Sequence, residues 1–154
     1  MPLLGFLSGY TDLASIAVRV VIGVLMIIHG MPKLTGPSRT QMREGMKQVG
    51  VPTILFDLVG LLEFVGGLFL LLGFLTRIVS ALFILEMVGT IVLYNTVLWK
   101  APMPRGAFEE AFKAFKRTHG YLFGWELDTT ILACMIVTLI LGGGALSLDG
   151  LLGL

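Results

Sequence analysis

Four long apolar runs, separated by short polar stretches, set the pattern of this chain. They cover residues 13–31, 53–74, 78–98 and 125–142. Each is close to the length a helix needs to cross a ~30 Å hydrocarbon core. Thr11 and Asp12 precede the first run, where either can cap a helix, and Pro32-Lys33 is expected to stop it. Pro52 opens the second, where its missing N–H is harmless. The short turn Gly73–Arg77 predicts that the second and third runs form an antiparallel hairpin. Gly142-Gly143-Gly144 ends the fourth, and the tail ALSLDGLLGL follows.

The polar stretches carry a pattern of their own. Thr40–Val49 reads as a short surface helix. Between the third and fourth runs, Phe108, Phe112 and Phe115 recur at i, i+4 and i+7 among Glu109, Glu110, Lys113, Lys116 and Arg117. That predicts an amphipathic helix over 105–119 lying at the membrane surface. The expected fold class is therefore all-α: one four-helix membrane domain spanning 1–154, with an interfacial helix between the third and fourth spans.

Composition agrees. The chain is 56% hydrophobic and only 14% charged, with mean hydropathy +0.93, whereas soluble domains carry about a quarter charged residues. A net charge of +1 gives no footing for nucleic acid, so the expected partner is the lipid bilayer. A lone Cys134 excludes an internal disulfide or a four-thiolate metal site. Met1–Tyr10 lacks a basic region of the signal-peptide kind, so the first span is expected to direct insertion. Lysine and arginine fall almost wholly in two connections: Lys33, Arg39, Arg43 and Lys47 in one, Lys100, Arg105, Lys113, Lys116 and Arg117 in the other. The opposite side holds Arg77. By the positive-inside rule both basic connections are cytoplasmic and both termini are outside.

Charges within the runs are the candidate chemistry, because a charge alone in hydrocarbon costs about 3 kcal/mol or more. Arg19 shares a face with Gly23, Met26 and Gly30; Glu63 shares one with Gly60 and Gly67; Glu86, Thr90 and Tyr94 form an i, i+4, i+8 stripe. Counting ~1.5 Å per residue puts Glu63 and Glu86 near the midplane, within reach of Arg19's long side chain. One layer of Arg19, Glu63 and Glu86 is expected, and a shallower one of His29 and Asp57 with Lys33 at its rim.

The runs RVVIGVLMIIHGMPKL and LLEFVGGLFLLLGFLTR and the tail GGGALSLDGLL resemble the DoxX family of small membrane proteins, over nearly the whole chain. The resemblance marks Arg19, Gly30, Lys33, Glu63, Gly66, Gly67, Gly73, Ser147 and Asp149. It implies a four-helix bundle in a bacterial or archaeal cytoplasmic membrane. It also implies association with quinone-linked oxidation of reduced sulphur compounds, as in the DoxD relatives, or with membrane redox complexes.

Three functions remain open at this level. In a quinone-linked redox subunit, Glu63 and Glu86 handle the protons, Arg19, Gly66, Gly67, Thr90 and Tyr94 line the pocket, and His29 and Asp57 relay protons. Quinone is then the expected ligand, with neither metal nor haem, and other complex subunits carry the electrons. In a structural or assembly subunit, the same charges are ion pairs and the glycines are packing contacts. A small transporter fits the midplane carboxylates, although no inverted repeat or broken-helix pair is evident. For individual residues, His29 is a relay, a metal or haem ligand (a haem held by two histidines would need His119), or a helix-end group bonded to Asp57 or to water. The phenylalanine stripe is either a membrane anchor or a docking face. Ser147 and Asp149 are either outer-face contacts or a cap.

Overall fold

The computed structural model of the protein describes residues 9–106, 108–117 and 125–154, Phe108 by its backbone alone. Its elements are α1 (Thr11–Leu34), α2 (Pro37–Gln48), α3 (Thr53–Leu72), α4 (Thr76–Leu98), α5 (Phe108–Arg117), α6 (Trp125–Leu141) and α7 (Leu148–Leu152). The described chain is all-α. Helices α1, α3 and α4 are each long and apolar enough to cross a membrane. The 17-residue α6 packs along α4 and α1. With α1 along the whole of α3, and α4 against α3, the four close into a ring. Ile22, Met26, Leu70, Val79, Phe83, Met87, Ile131 and Met135 fill its centre.

Helix ends differ from the sequence expectation by a turn or less, each for a local reason. Pro32 does not stop α1: the helix runs on to Leu34, held by the packing of Gly30 on α3 and by an ion pair from Lys33. Helix α3 ends at Leu72 because Gly73 turns left-handed (φ 67°), letting the Phe74 N–H reach back to the Phe69 carbonyl at 2.8 Å. Helix α2 begins at Pro37, earlier than expected, after a left-handed Gly36.

Glycine sets the approach of α1 to α3. A Cβ on Gly67 would lie 2.8 Å from the Gly23 carbonyl oxygen, and one on Gly30 would lie 2.5 Å from the Phe64 amide nitrogen. No larger side chain fits at either crossing, so the small residues allow backbone-to-backbone contact. Gly66 faces α4, where a Cβ would meet Phe83 Cζ at 2.9 Å.

Two π turns interrupt the helices, Leu62–Gly66 within α3 and Tyr94–Leu98 at the end of α4. Each widens the helix by one residue and re-aims the side chains it carries.

Below the ring, at the α2 end, a second apolar cluster gathers Val49, Val51, Leu98, Ala101, Phe112 and Phe115, with Met46, Leu93 and Tyr94 against it. This corrects both expectations for two rings of the phenylalanine stripe, the Phe108 side chain lying outside the described residues. Phe112 and Phe115 are 4% and 7% exposed and pack inward, Phe115 lying 5.6 Å from the Tyr94 ring and 6.4 Å from Trp99. The amphipathic face of α5 therefore covers the chain's own connections; neither lipid nor a partner receives these two rings. On its polar face Lys113 meets Glu109 and Glu110, each at 2.8 Å. That contact holds the Glu110 carboxyl below its ordinary range and the ammonium above its own.

Candidate functional site: a polar cavity within the helix ring

The charges predicted as two layers form three separate groups, and the direction of each helix explains the sorting. In a helix every Cα–Cβ bond tilts toward the N-terminus. Arg19, early in α1, therefore reaches toward the α3–α4 turn, away from Glu63. It is 2% exposed, its Nη2 donates to the Leu146 carbonyl at 3.0 Å, and its guanidinium lies against Gly73. The carboxylate whose field it feels is Asp149. Asp149 in turn accepts from the backbone N–H groups of Leu75 (2.6 Å) and Thr76 (2.8 Å), capping α4. Ser147 caps α7, accepting from Gly150 N at 2.9 Å. Arg19, Ser147 and Asp149 are thus the lock that ties the tail to the α3–α4 turn. The expected Arg19–Glu63–Glu86 layer does not form.

Asp57 is likewise separate from His29. It pairs with Arg39 at 3.0 Å and Arg43 at 3.2 Å, residues one turn apart on α2. His29 instead donates from Nδ1 to the Leu25 carbonyl at 2.8 Å, a carbonyl being able only to accept. That bond fixes which ring nitrogen carries the proton and leaves Nε2 as the other face of the ring.

The third group is a cavity of ≈ 380 Å³ lined by His29, Lys33, Glu63, Glu86, Met87, Thr90, Tyr94, Glu126, Leu127 and Asp128. Its volume lies within the range of small-molecule sites. Lys33, at the far end of α1, tilts back into the ring and pairs with Glu63 at 2.5 Å. Glu63 comes from the oppositely directed α3, so its own tilt carries it toward Lys33. Both π turns border the cavity: Glu63 lies in one, and Tyr94 begins the other. Helix α4 adds Glu86, Met87 and Thr90, whose hydroxyl is bonded to the Met87 carbonyl at 3.0 Å; α6 adds Glu126, Leu127 and Asp128. Glu86 is 9% exposed and its carboxyl lies within hydrogen-bond reach of the Glu63 carboxyl, while the Asp128 carboxyl stands in the same way beside the Thr90 hydroxyl. Two buried carboxyls that share a site hold a proton between them, so Glu86 and Glu63 form a place where a proton can be taken up or released.

Five of the sequence candidates meet here: Glu63, Glu86, Thr90, Tyr94 and His29. Arg19, Gly66, Gly67 and Asp57 do not line the cavity; the two glycines are in helix contacts and the two charges in the locks described above. Residues that the sequence did not single out are Lys33 as the partner of Glu63, and Glu126 and Asp128 at the start of the last run. The tilt of side chains toward helix N-termini was the available signal for Lys33. His119, which a two-histidine haem would need, lies outside the described residues.

Comparison with known proteins gives consistent matches. Residues 14–96 match the DoxX family. The chain is 32% identical over 91 residues to "Putative oxidoreductase CatD" of Bacillus subtilis (strain 168), covering 59% of this chain and 64% of that one. It is 44% identical over 72 residues to "Inner membrane protein YqjF" of Escherichia coli (strain K12), covering 47% and 53%. It is 31% identical over 137 residues to "Uncharacterized membrane protein Rv3486" of Mycobacterium tuberculosis (strain ATCC 25618 / H37Rv), covering 87% and 78%. The match thus spans less than two thirds of the length of the first two relatives. No solved structure matches the chain.

Proposed function

The chain belongs to the DoxX family of membrane proteins, and from that premise we propose that it is a four-span subunit of a quinone-linked redox complex in the cytoplasmic membrane. In this reading α6 is the fourth span, the basic connections face the cytoplasm, and the cavity binds the quinone head group in the cytoplasmic half of the bundle. The observation that carries it is the group Glu86, Glu63 and Lys33: two buried carboxyls in mutual contact beside one ammonium, on the wall of a ligand-sized cavity. A quinol that gives two electrons to a partner subunit also releases two protons, and Glu86 and Glu63 are placed to accept them. Lys33 and the Tyr94 hydroxyl orient the ring oxygens, while Met87 and Leu127 supply apolar contact for its faces. Two relatives carry names that support the reading in part, one as an oxidoreductase and one as an inner membrane protein.

The test is quinone turnover by membranes or purified complex containing the Glu86→Gln variant. Loss of a positioned proton acceptor lowers turnover by about 10²-fold. Full turnover in this variant, together with protein that carries no extractable quinone, would sink the proposal.

A second reading, a structural or assembly subunit, draws on the outward faces of the bundle. Val21, Ile28, Leu85 and Ile140 are each more than half exposed, on three different helices. Under that reading gently solubilised membranes give a larger species on native electrophoresis, and Glu86→Gln changes nothing in turnover.

A further inference from the structure

We infer that the groove where α4 begins, α6 ends and the tail folds back is a binding site for a membrane phospholipid, recognised by its phosphate. It stands at the opposite end of α6 from the polar cavity and is independent of what that cavity holds. The groove has a volume of ≈ 430 Å³, with Thr76, Arg77, Ile78, Leu141 and the glycine run 142–144 among its lining residues. Arg77 is exposed, and among the described residues it makes no ion pair and no side-chain hydrogen bond. Its guanidinium lies across Gly142, where a Cβ would stand 3.3 Å from Nε and 3.5 Å from Nη2. Gly142 is left-handed (φ 73°), so neither its backbone nor the space beside it suits a side chain. Thr76 is 0% exposed, and its Oγ1 has no hydrogen-bond partner among the described residues. That oxygen points at the glycine run, 3.0 Å from where a Cβ on Gly143 would stand. Asp149 takes the amides of Leu75 and Thr76, but those of Arg77 and Ile78 have no acceptor among the described residues.

A guanidinium, a hydroxyl and two amides can all donate, and they gather at the positive end of a long helix, which suits an anion. Two carboxylates stand near. Asp149 is held by the Leu75 and Thr76 amides and answered by Arg19. Asp12, which a Cβ on Gly144 would meet at 2.7 Å, does not line the groove. The Arg77 charge is left for a ligand. Because α4 is long and apolar enough to cross a membrane, its first turn stands at the level of lipid headgroups. A side chain there tilts toward the helix N-terminus, so Arg77 reaches away from hydrocarbon. Ile78 and Leu141, 57% and 36% exposed, continue the wall on the hydrocarbon side. A phospholipid meets both parts at once, with phosphate oxygens on the planar fork of Arg77 and acyl chains along Ile78 and Leu141. A soluble phosphate ester would leave the apolar wall bare, and a diacylglycerol would leave Arg77 unmet.

The experiment uses the whole chain, stripped of lipid in detergent micelles. Native mass spectrometry ranks what it retains, and amide exchange locates it. The probes are dioleoyl phosphatidylglycerol, dioleoylglycerol and glycerol 3-phosphate. The phospholipid is expected to be retained about tenfold more tightly than the diacylglycerol and to slow exchange over 75–79 and 141–151, while glycerol 3-phosphate does neither. Arg77→Gln is expected to weaken phospholipid retention by about tenfold, the loss of one hydrogen bond to a charged group, and to remove the slowing. Thr76→Val weakens it less, and Lys47→Gln, on an exposed residue of α2, leaves the slowing intact. Arg77 is exposed, so its replacement leaves the fold in place, and unchanged thermal melting checks this. Equal retention of phospholipid and diacylglycerol, slowed exchange confined to other segments, or an Arg77→Gln variant that behaves as wild type overturns the proposal. Glycerol 3-phosphate giving the same slowing overturns the lipid in favour of a soluble phosphate ester.

Discussion

The side chain most exposed to its partner's loss is Glu63. Among the described residues Lys33 is the only cation paired with it, and Glu63 is 5% exposed, so removing the lysine strands a buried carboxylate. Lys33→Met is expected to cost about 2–4 kcal/mol, the low side of the range for breaking a buried pair because a fifth of the lysine side chain remains exposed. Adding Glu63→Gln to Lys33→Met is expected to restore most of that loss. Reversible unfolding in mixed detergent micelles measures both, and equal stability of the single and double variants would show that the pair is not coupled. At the other end, Asp149 holds two backbone N–H groups at the start of α4. Asp149→Ala is expected to destabilise by about 1–3 kcal/mol, because it removes a cap and leaves Leu75 and Thr76 donors unmet. Asp149→Asn, which keeps one acceptor, costs less. The same unfolding assay orders the two; an alanine variant as stable as wild type would mean the tail is not held by this residue.

At the scale of the helices, the α1–α3 contact and the two π turns do separate work. The contact is steric: Gly67 stands 2.8 Å (as a built Cβ) from the Gly23 carbonyl. Gly67→Ala is expected to lower stability by about 1–3 kcal/mol through overpacking, visible in the same unfolding curve, with Gly89→Ala on α4 as a comparison that meets no neighbouring atom. The π turns instead aim Glu63 and Tyr94 at the cavity. Tyr94 also packs on Phe115, so it joins the cavity to the cluster beneath it. Phe115→Ala is expected to cost about 3 kcal/mol, and to loosen the α5 connection first, as faster amide exchange over 108–117 would report. Unchanged exchange there would show that α5 is held by something other than its aromatic face.

For the whole molecule, the proposed arrangement of two basic connections on one side is open to a direct measurement. With Cys134 replaced by serine, a cysteine at Lys47 is expected to react with a membrane-impermeant maleimide only after the cells are opened. A cysteine at Leu152 is expected to react from outside. Labelling in the reverse order would place the cavity on the opposite side of the membrane and reassign where its protons go.

Much of the helix pattern was legible in the sequence because lipid imposes it. A backbone in hydrocarbon must satisfy its own hydrogen bonds, so long apolar runs can only be helices, and their lengths and breaks are written in composition. The glycine faces at Gly23, Gly30, Gly60 and Gly67 were legible for the same reason, since small residues spaced on one face predict a close crossing. So were Glu63, Glu86, Thr90, Tyr94 and His29 as polar residues out of place in apolar runs. Their partners were not. Counting residues gives the depth of an α-carbon, but Arg19 and Lys33 each carry a charge several ångströms from that point, and the helix tilts those charges in opposite senses relative to Glu63. The π turns were invisible because a one-residue widening has no composition of its own. Asp128 and Asp149 acquired their roles only when α6 and the tail folded against α4, contacts between residues distant in sequence. The sequence determined which residues cannot face lipid. Only the tertiary structure decided which of them face each other, because that depends on helix direction, register and the reach of long side chains.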